Sequence, residues 1–526
     1  MKELRKLPIG IQDFEKIRTD GFLYVDKTEY IYNLVQSGLP YFLSRPRRFG
    51  KSLFLSSLKA YWEGKNELFK GLAIEELSKD DPEAFDPHPV LYFDFNKNNY
   101  RRIGALEEVL NEHLLGWEHD YGIAVHSAPL EERFRNVIRK AYEVTGKRVV
   151  VLVDEYDKSL IEVMDNIELE EHNKAVFKGF FSTLKSYDGY LKFVFLTGVT
   201  KFSKVSVFSD LNQLRDISMT SEYTAICGIT EDEIKKNLLP EVRQMAEETG
   251  DSEEGCLEQL KAMYNGYHFH PTGESVYNPF SLLNALNDRE TASYWFSTGT
   301  PEFLVNKIKE VDYNPEDFED GTIYADRNSL SDYRADNPDP VPLLYQTGYL
   351  TITDYDARRK RFTLGYPNDE VKYGLLESLA PVYLYDTKGR TGKDIFTLDE
   401  YIEKGNLEGI RDSLSSLYAQ LPYTTDDKPM EQDFQNVIYI VFTMLGKFVD
   451  TEVHSRAGRA DAIVKTDKYI YIFEFKRDKT ADEALKQIEE KGYDKPFAAD
   501  KRTLYKIGVN FDSKTGEIDG WKVVER

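Results

Sequence analysis

Residues 149–153, Val-Val-Val-Leu-Val, are apolar without alternation, and Asp154-Glu155 follow at once. A strand that is apolar on both faces must be covered on both, which places it inside a sheet flanked by helices. Similar β-rich runs recur at residues 40–43, 90–95, 191–196 and 224–227, separated by stretches of helical pattern. That order predicts a parallel, doubly wound α/β core over residues 1–228.

At 526 residues the chain is longer than one hydrophobic core serves. Its 41% hydrophobic content argues for packed domains throughout. Two cysteines, Cys227 and Cys256, supply neither a disulfide framework nor a zinc quartet. With no signal-like apolar start and no run long enough to cross a bilayer, the expected location is cytoplasmic, with no membrane partner. The net charge of -23 opposes a broad nucleic-acid-coating surface. Residues 451–526 hold 16 Lys/Arg and 15 Asp/Glu, near +1, leaving -24 elsewhere, so any contact with DNA or RNA is expected to be local. The oligomeric state is not fixed by the sequence, which is compatible with an oligomer.

Beyond the core, Thr230-Glu-Asp-Glu233 is a capping box that opens a mostly helical segment, 229–340, expected to act as a lid. Residues 343–364 then read as a helix followed by a β-hairpin with Arg358, Arg359, Lys360 and Arg361 at its tip. This is similar to the wing of a winged helix, although a hairpin that buttresses the lid is the reading we favour. The connector spans 341–421. The polar stretch between Pro422 and Pro429 is the best linker, and a final domain is expected over 422–526.

Two places carry chemistry. Gly50-Lys51-Ser52 after an apolar strand supplies the phosphate-cradling turn, the lysine and the metal-binding hydroxyl of a P-loop, although Arg45 stands where the first glycine would be. Asp154 and Glu155, at a buried strand tip, suit Mg²⁺ and the attacking water respectively. Thr197 or Thr200, at the next strand tip, could sense a terminal phosphate, and an ordinary turn explains them equally well. Near the other end, Asp461 and Glu474-Phe-Lys476 fall on neighbouring apolar stretches, where strand alternation puts Glu474 and Lys476 on one face and Phe473 and Phe475 on the other. Two acids and a lysine suit metal-assisted phosphodiester cleavage. A surface salt bridge is the plainer alternative. It is weakened by the apolar surroundings of Glu474, where an unpaired charge costs several kcal/mol.

The segments Pro8-Ile-Gly-Ile-Gln-Asp-Phe14, Tyr24-Val-Asp-Lys-Thr28, Ser44–Ser52, Val153-Asp-Glu-Tyr-Asp157 and Thr197–Ser203 resemble the AAA-ATPase-like family, in which a C-terminal PD-(D/E)XK nuclease-superfamily domain commonly follows. Tyr264-Asn-Gly-Tyr-His-Phe269 and Val276-Tyr-Asn-Pro-Phe280 extend the likeness. The resemblance implies a P-loop NTPase core, a helical lid with the wing-like hairpin, and a PD-(D/E)XK-like α/β domain. It implies ATP contacts at Arg48, Phe49, Gly50, Lys51, Ser52, Leu53, Asp154 and Thr197, with Ser52 and Asp154 on Mg²⁺ and Glu155 catalytic. In the last domain it implies Asp461 and Glu474 on Mg²⁺ or Mn²⁺, with Lys476 and Gln487 beside them. Asp461 follows Ala460 rather than proline, Glu431 matches a first-helix acid loosely, and Tyr493 lies just beyond Gln487. Arg215 is a guess for an arginine finger. The expectation is an ATPase coupled to a metal-dependent nuclease; the alternative is a nucleotide-switched module that binds nucleic acid without cutting it.

Overall fold

The computed structural model describes residues 5–526 apart from 39, 97, 125–126, 202–213, 299–303, 306–307, 309–313, 320, 332–338, 384–390, 419–430, 447–449, 454–460, 513–514 and 516. It divides into two compact units: Met1–Gly299 with Ile323–Glu370, and Thr300–Thr322 with Val371–Arg526. The boundaries expected at 228, 340 and 421 stand as proposals beside this division.

The first unit is built on β1 (Pro40–Ser44), β2 (Val90–Asp94), β3 (Val149–Asp154), β4 (Leu191–Gly198) and β5 (Arg215–Asp216). They run in the order β2-β3-β4-β1-β5, with every pair parallel. All six residues of β3 are buried, as its unbroken apolar run requires. Helices cover both faces. On β2, Tyr92 lies under Lys59 of the helix Lys51–Trp62, while its neighbour Phe93 packs against Trp117, Phe134 and Phe180 from three other helices. Phe93 is fully buried, so cutting it to alanine costs about 3–5 kcal/mol.

Residues 224–227, expected as a strand, form a buried turn after the short 3-10 helix Ser221–Tyr223. Their apolar character serves packing, and the Ala225 carbonyl accepts from Lys27 Nζ at 2.8 Å. The fifth strand is β5 instead, too short to show a period. The capping box at Thr230 forms with both of its hydrogen bonds. The helices Glu231–Asn237, Leu239–Thr249, Glu253–Tyr264 and Pro279–Asp288 share a core that includes Ile234, Leu260 and Leu282. The N-terminal residues Leu7, Ile9, Leu23 and Val25 pack onto it.

The expected hairpin is present as β7 (Thr351–Asp356) and β8 (Arg361–Gly365), but β6 (Ile323–Asp326) makes it a three-stranded antiparallel sheet. Its tip cations have local partners: Arg359 pairs with Asp356 at 2.8 Å, and Arg361 lies 3.7 Å over the Tyr324 ring.

In the second unit, β9 (Asp450–Val453), β10 (Ala462–Lys465), β11 (Tyr469–Arg477), β12 (Thr503–Phe511) and β13 (Ile518–Glu525) form a sheet ordered β13-β12-β11-β10-β9. Only β11 and β12 pair in parallel; the other pairs are antiparallel. The helix Glu431–Leu445 covers one face, with Phe442 5.1 Å from Phe473 and 5.8 Å from Phe475. The helix Ala481–Lys491, opened by the capping box at Thr480, covers the other, where Ile488 joins Ile463, Ile470, Ile472 and Leu504. The proposed linker at 422–429, Ala460 and the Glu431 side chain lie outside the described residues. Among those described, no helix is long and apolar enough to cross a membrane.

Candidate nucleotide and metal sites

Strand order assembles the first site. Because β4 lies between β1 and β3, the loop after β1, the acids after β3 and the threonine closing β4 meet at one edge of the sheet. The missing first glycine is accommodated by two left-handed residues, Arg48 (φ 67°) and Gly50 (φ 94°), with Gly50 capping the helix Lys51–Trp62. Arg45 is buried beneath the loop, donates to the Ser218 and Tyr223 carbonyls at 2.8 Å each, and lies 3.9 Å over Phe269. Burial lowers its pKa. Arg45 is therefore a strut of this loop. Phe49 anchors it further, edge-on to Tyr267 at 4.7 Å, while its carbonyl accepts from Gly228 N at 3.1 Å.

Lys51 Nζ donates to the carbonyls of Arg45 and Pro46 at 3.0 Å each. Asp154 accepts from Thr197 Oγ1 at 2.7 Å and from Tyr92 at 3.4 Å, with the Ser52 hydroxyl nearby. Burial raises its pKa, and the Ser52 and Thr197 donors oppose the rise. Glu155 takes a left-handed backbone (φ 48°), a strained state for a non-glycine residue that turns the chain sharply after β3. Thr200 is held elsewhere, by Asp157, so of the two threonines only Thr197 touches Asp154.

A cavity of about 430 Å³ opens over this edge. Arg48, Phe49, Gly50, Lys51, Ser52, Leu53 and Glu155 line it. The first-turn N–H groups of the helix, which a helix cannot satisfy itself, open here and suit an anion. Pro8, Ile11, Leu23, Val25, Ile229 and Leu283 add apolar lining. The sequence reading did not assign this apolar lining, whose signal is an N-terminal apolar run without helical or strand period. Arg215, offered as a finger, instead lies by Glu222 (3.8 Å) and over Tyr223, and does not line the cavity.

Asp157 was also missed. Its Oδ2 accepts from Val199 N and from Thr200 Oγ1, both at 2.9 Å, and from Thr200 N, while burial pushes its pKa to about 6. A Cβ at Gly198 would come within 2.7 Å of Asp157 Oδ1, so glycine is needed where the ends of β3 and β4 lock together.

At the second site, Asp461 stands immediately before β10, and its Oδ2 accepts from Phe475 N at 2.7 Å. Glu474 accepts in return from the Asp461 backbone. It is 1% exposed; its Oε1 takes Lys476 Nζ at 2.7 Å, and its Oε2 has no hydrogen-bond partner. Burial, then the nearby Glu474 charge, pushes Asp461 up to about 7; burial also raises Glu474. Tyr493, raised by burial, lies beside Gln487 and within the field of Glu474, Asp461 and Lys476. The structure thus brings together Asp461, Glu474 and Lys476, with Gln487 on the covering helix. No group of three or more His, Cys, Asp or Glu side chains suited to a metal occurs among the described residues. The donor set fits a hard divalent cation through two carboxylates, the unpartnered Oε2 included, completed by water or backbone oxygen.

These architectures define the class: a P-loop ATPase core and a PD-(D/E)XK-type domain in one polypeptide. The chain belongs to the predicted AAA-ATPase family in its form with a C-terminal PD-(D/E)XK nuclease-superfamily domain, residues 8–208 matching the first and 429–521 the second. It is similar along its length to a protein of Azotobacter chroococcum mcd 1 described as "Uncharacterized protein in vnfD 5'region", at 36% identity over 531 residues, 99% of each chain.

Proposed function

We propose that the first unit binds and hydrolyses Mg²⁺-ATP and that its nucleotide state controls a metal-dependent nuclease acting on DNA or RNA in the second. The observation that supports this best is the Gly50-Lys51-Ser52 turn lining the cavity, with Asp154 and its 2.7 Å hydrogen bond from Thr197 buried behind it rather than lining it. Lys51 would leave two neutral carbonyls for the β/γ-phosphates, a stronger charge-assisted pairing. Ser52 and Asp154 would hold Mg²⁺, which neutralises phosphate charge when bound. Glu155 would orient and deprotonate the attacking water, and Thr197 would contact the terminal phosphate.

In the second unit, Asp461 and Glu474 would hold Mg²⁺ or Mn²⁺, which supplies Lewis acidity at the scissile phosphate. Lys476 would stabilise the charge that develops there, and Gln487 would orient the substrate. A second reading, nucleic-acid binding without cleavage, is favoured by the small ligand set at the second site, where among the described residues no third His, Cys, Asp or Glu joins the two carboxylates.

The test incubates purified protein with single-stranded DNA, duplex DNA and RNA, with and without Mg²⁺, Mn²⁺ and ATP. Metal-dependent cleavage that changes with ATP is expected. ATP binding together with uncut but retained nucleic acid would select the second reading.

A further inference from the structure

We propose that Lys158 is a second catalytic cation of the nucleotide site, supplied by the same chain to the terminal phosphate. This rests on the ATP reading above. Among the described residues, five cations line the cavity: Lys27, Arg47, Arg48, Lys51 and Lys158. Lys27 is committed to the Ala225 carbonyl and to Glu233, both within 2.8 Å. Arg48 lies 4.9 Å over Phe280, and the Arg47 carbonyl accepts from Trp295 Nε1 at 3.1 Å. Lys158 lines the same cavity as Glu155, three residues further along the chain.

The placement follows from the backbone. Glu155 turns left-handed, and Lys158 N closes a turn onto the Glu155 carbonyl at 3.1 Å, bringing the lysine back to the cavity three residues after the acid. Asp157 holds the intervening turn against β4. On the β4 side Asp154 meets Thr197; on the β2 side Lys158 Nζ donates to the Asn96 carbonyl at 2.6 Å, and Asn96 also lines the cavity.

Lys158 is therefore parked as Lys51 is, on a neutral carbonyl. Glu162 is 3.8 Å from its ammonium and also accepts from Tyr100 N at 3.1 Å. Exchanging one carbonyl for a phosphate oxygen gains a charge-assisted bond. The need is electrostatic. The phosphoryl group's charge spreads over its outer oxygens during transfer, and a cation beyond Lys51 and the Mg²⁺ that Ser52 and Asp154 would hold stabilises the share that develops there. With both lysines on one polypeptide, hydrolysis needs no cation from a second copy.

The test compares wild type, Lys158→Ala and Lys158→Arg. It measures affinity for ATP and for ADP with aluminium fluoride, a mimic of the transferring phosphoryl group, and single-turnover hydrolysis over a range of protein concentrations. The alanine variant should keep ATP affinity within about threefold, while losing about a hundredfold in both hydrolysis and affinity for the mimic. Lys158→Arg should recover part of both and controls for folding, and the wild-type rate per chain should not vary with protein concentration. An alanine variant with the wild-type ratio of mimic to ATP affinity overturns the inference, as does a rate per chain that rises with concentration. Wild-type protein that binds neither ligand overturns the ATP reading and this inference with it.

Discussion

Asp154 and Glu474 are both buried on interior strands of their sheets, yet Asp154 is met by Thr197 and Tyr92, whereas Glu474 keeps one oxygen without a partner beside a second acid, Asp461. The first acid is satisfied by the protein itself, and a ligand needs only to displace Lys51 from its carbonyls. In the second cluster two raised carboxylates face one lysine, so a cation would relieve a standing cost. On the proposed reading, the nucleotide site is preorganised by donors, and the nuclease-like site would be completed by the cation it binds.

The sharpest test of that contrast is Lys51→Ala, which should abolish measurable ATP binding, about 3 kcal/mol or more, leaving metal binding by the second unit intact. Titration calorimetry of both ligands on the folded variant checks it; unchanged ATP affinity would sink the P-loop assignment. Asp461→Ala should remove metal and cleavage together while ATP binding persists, read by the same calorimetry and a nuclease assay. Glu155→Gln should hold ATP without turnover, hydrolysis falling by about 10²–10⁴ in a single-turnover assay; a wild-type rate would assign the water to another residue. Lys476→Ala should keep the metal and lower cleavage by about 10²–10³, since both ligands remain and only charge stabilisation is lost.

The smallest effect is on pH. Asp461 rises to about 7 in the folded chain through burial and Glu474, so protons compete with the cation below that pH. Mg²⁺ affinity should fall by up to about tenfold per unit as the pH drops beneath about 7. Without metal the sign for stability is opposite. A carboxyl whose folded pKa is raised binds more protons folded than unfolded, so its contribution is fully present below the ordinary value of 3.8 and is lost as the pH rises through about 7. Asp461→Asn should flatten that slope in thermal melts of the metal-free protein.

Sequence made much of the frame readable. The strands β1 to β4 announce themselves because burial on both faces demands unbroken apolar runs. Both capping boxes form as their spacing requires. Glu474 and Lys476 were legible through alternation along β11, and Asp461 as the acid opening the neighbouring apolar run. What escaped depends on long-range packing. Residues 224–227 carry a strand's composition, yet they wall a cavity; β5 has two residues; β6 joins its sheet by pairing with β8, far along the chain. The placement of Lys158 and Asp157 follows from a left-handed turn at Glu155, which no residue type in that segment advertises.

Trp295 bridges two parts of the first unit: its backbone N–H reaches Glu370 at 2.7 Å, and its indole N–H donates to the Arg47 carbonyl within the Gly-Lys-Ser loop. Indole emission responds to the hydrogen bond at that nitrogen, so any nucleotide that reshapes the loop will be written into the fluorescence of this buried ring. The chain carries its own optical probe of loop state, and replacing Trp62, Trp117 and Trp521 with phenylalanine would isolate its signal without attaching a dye.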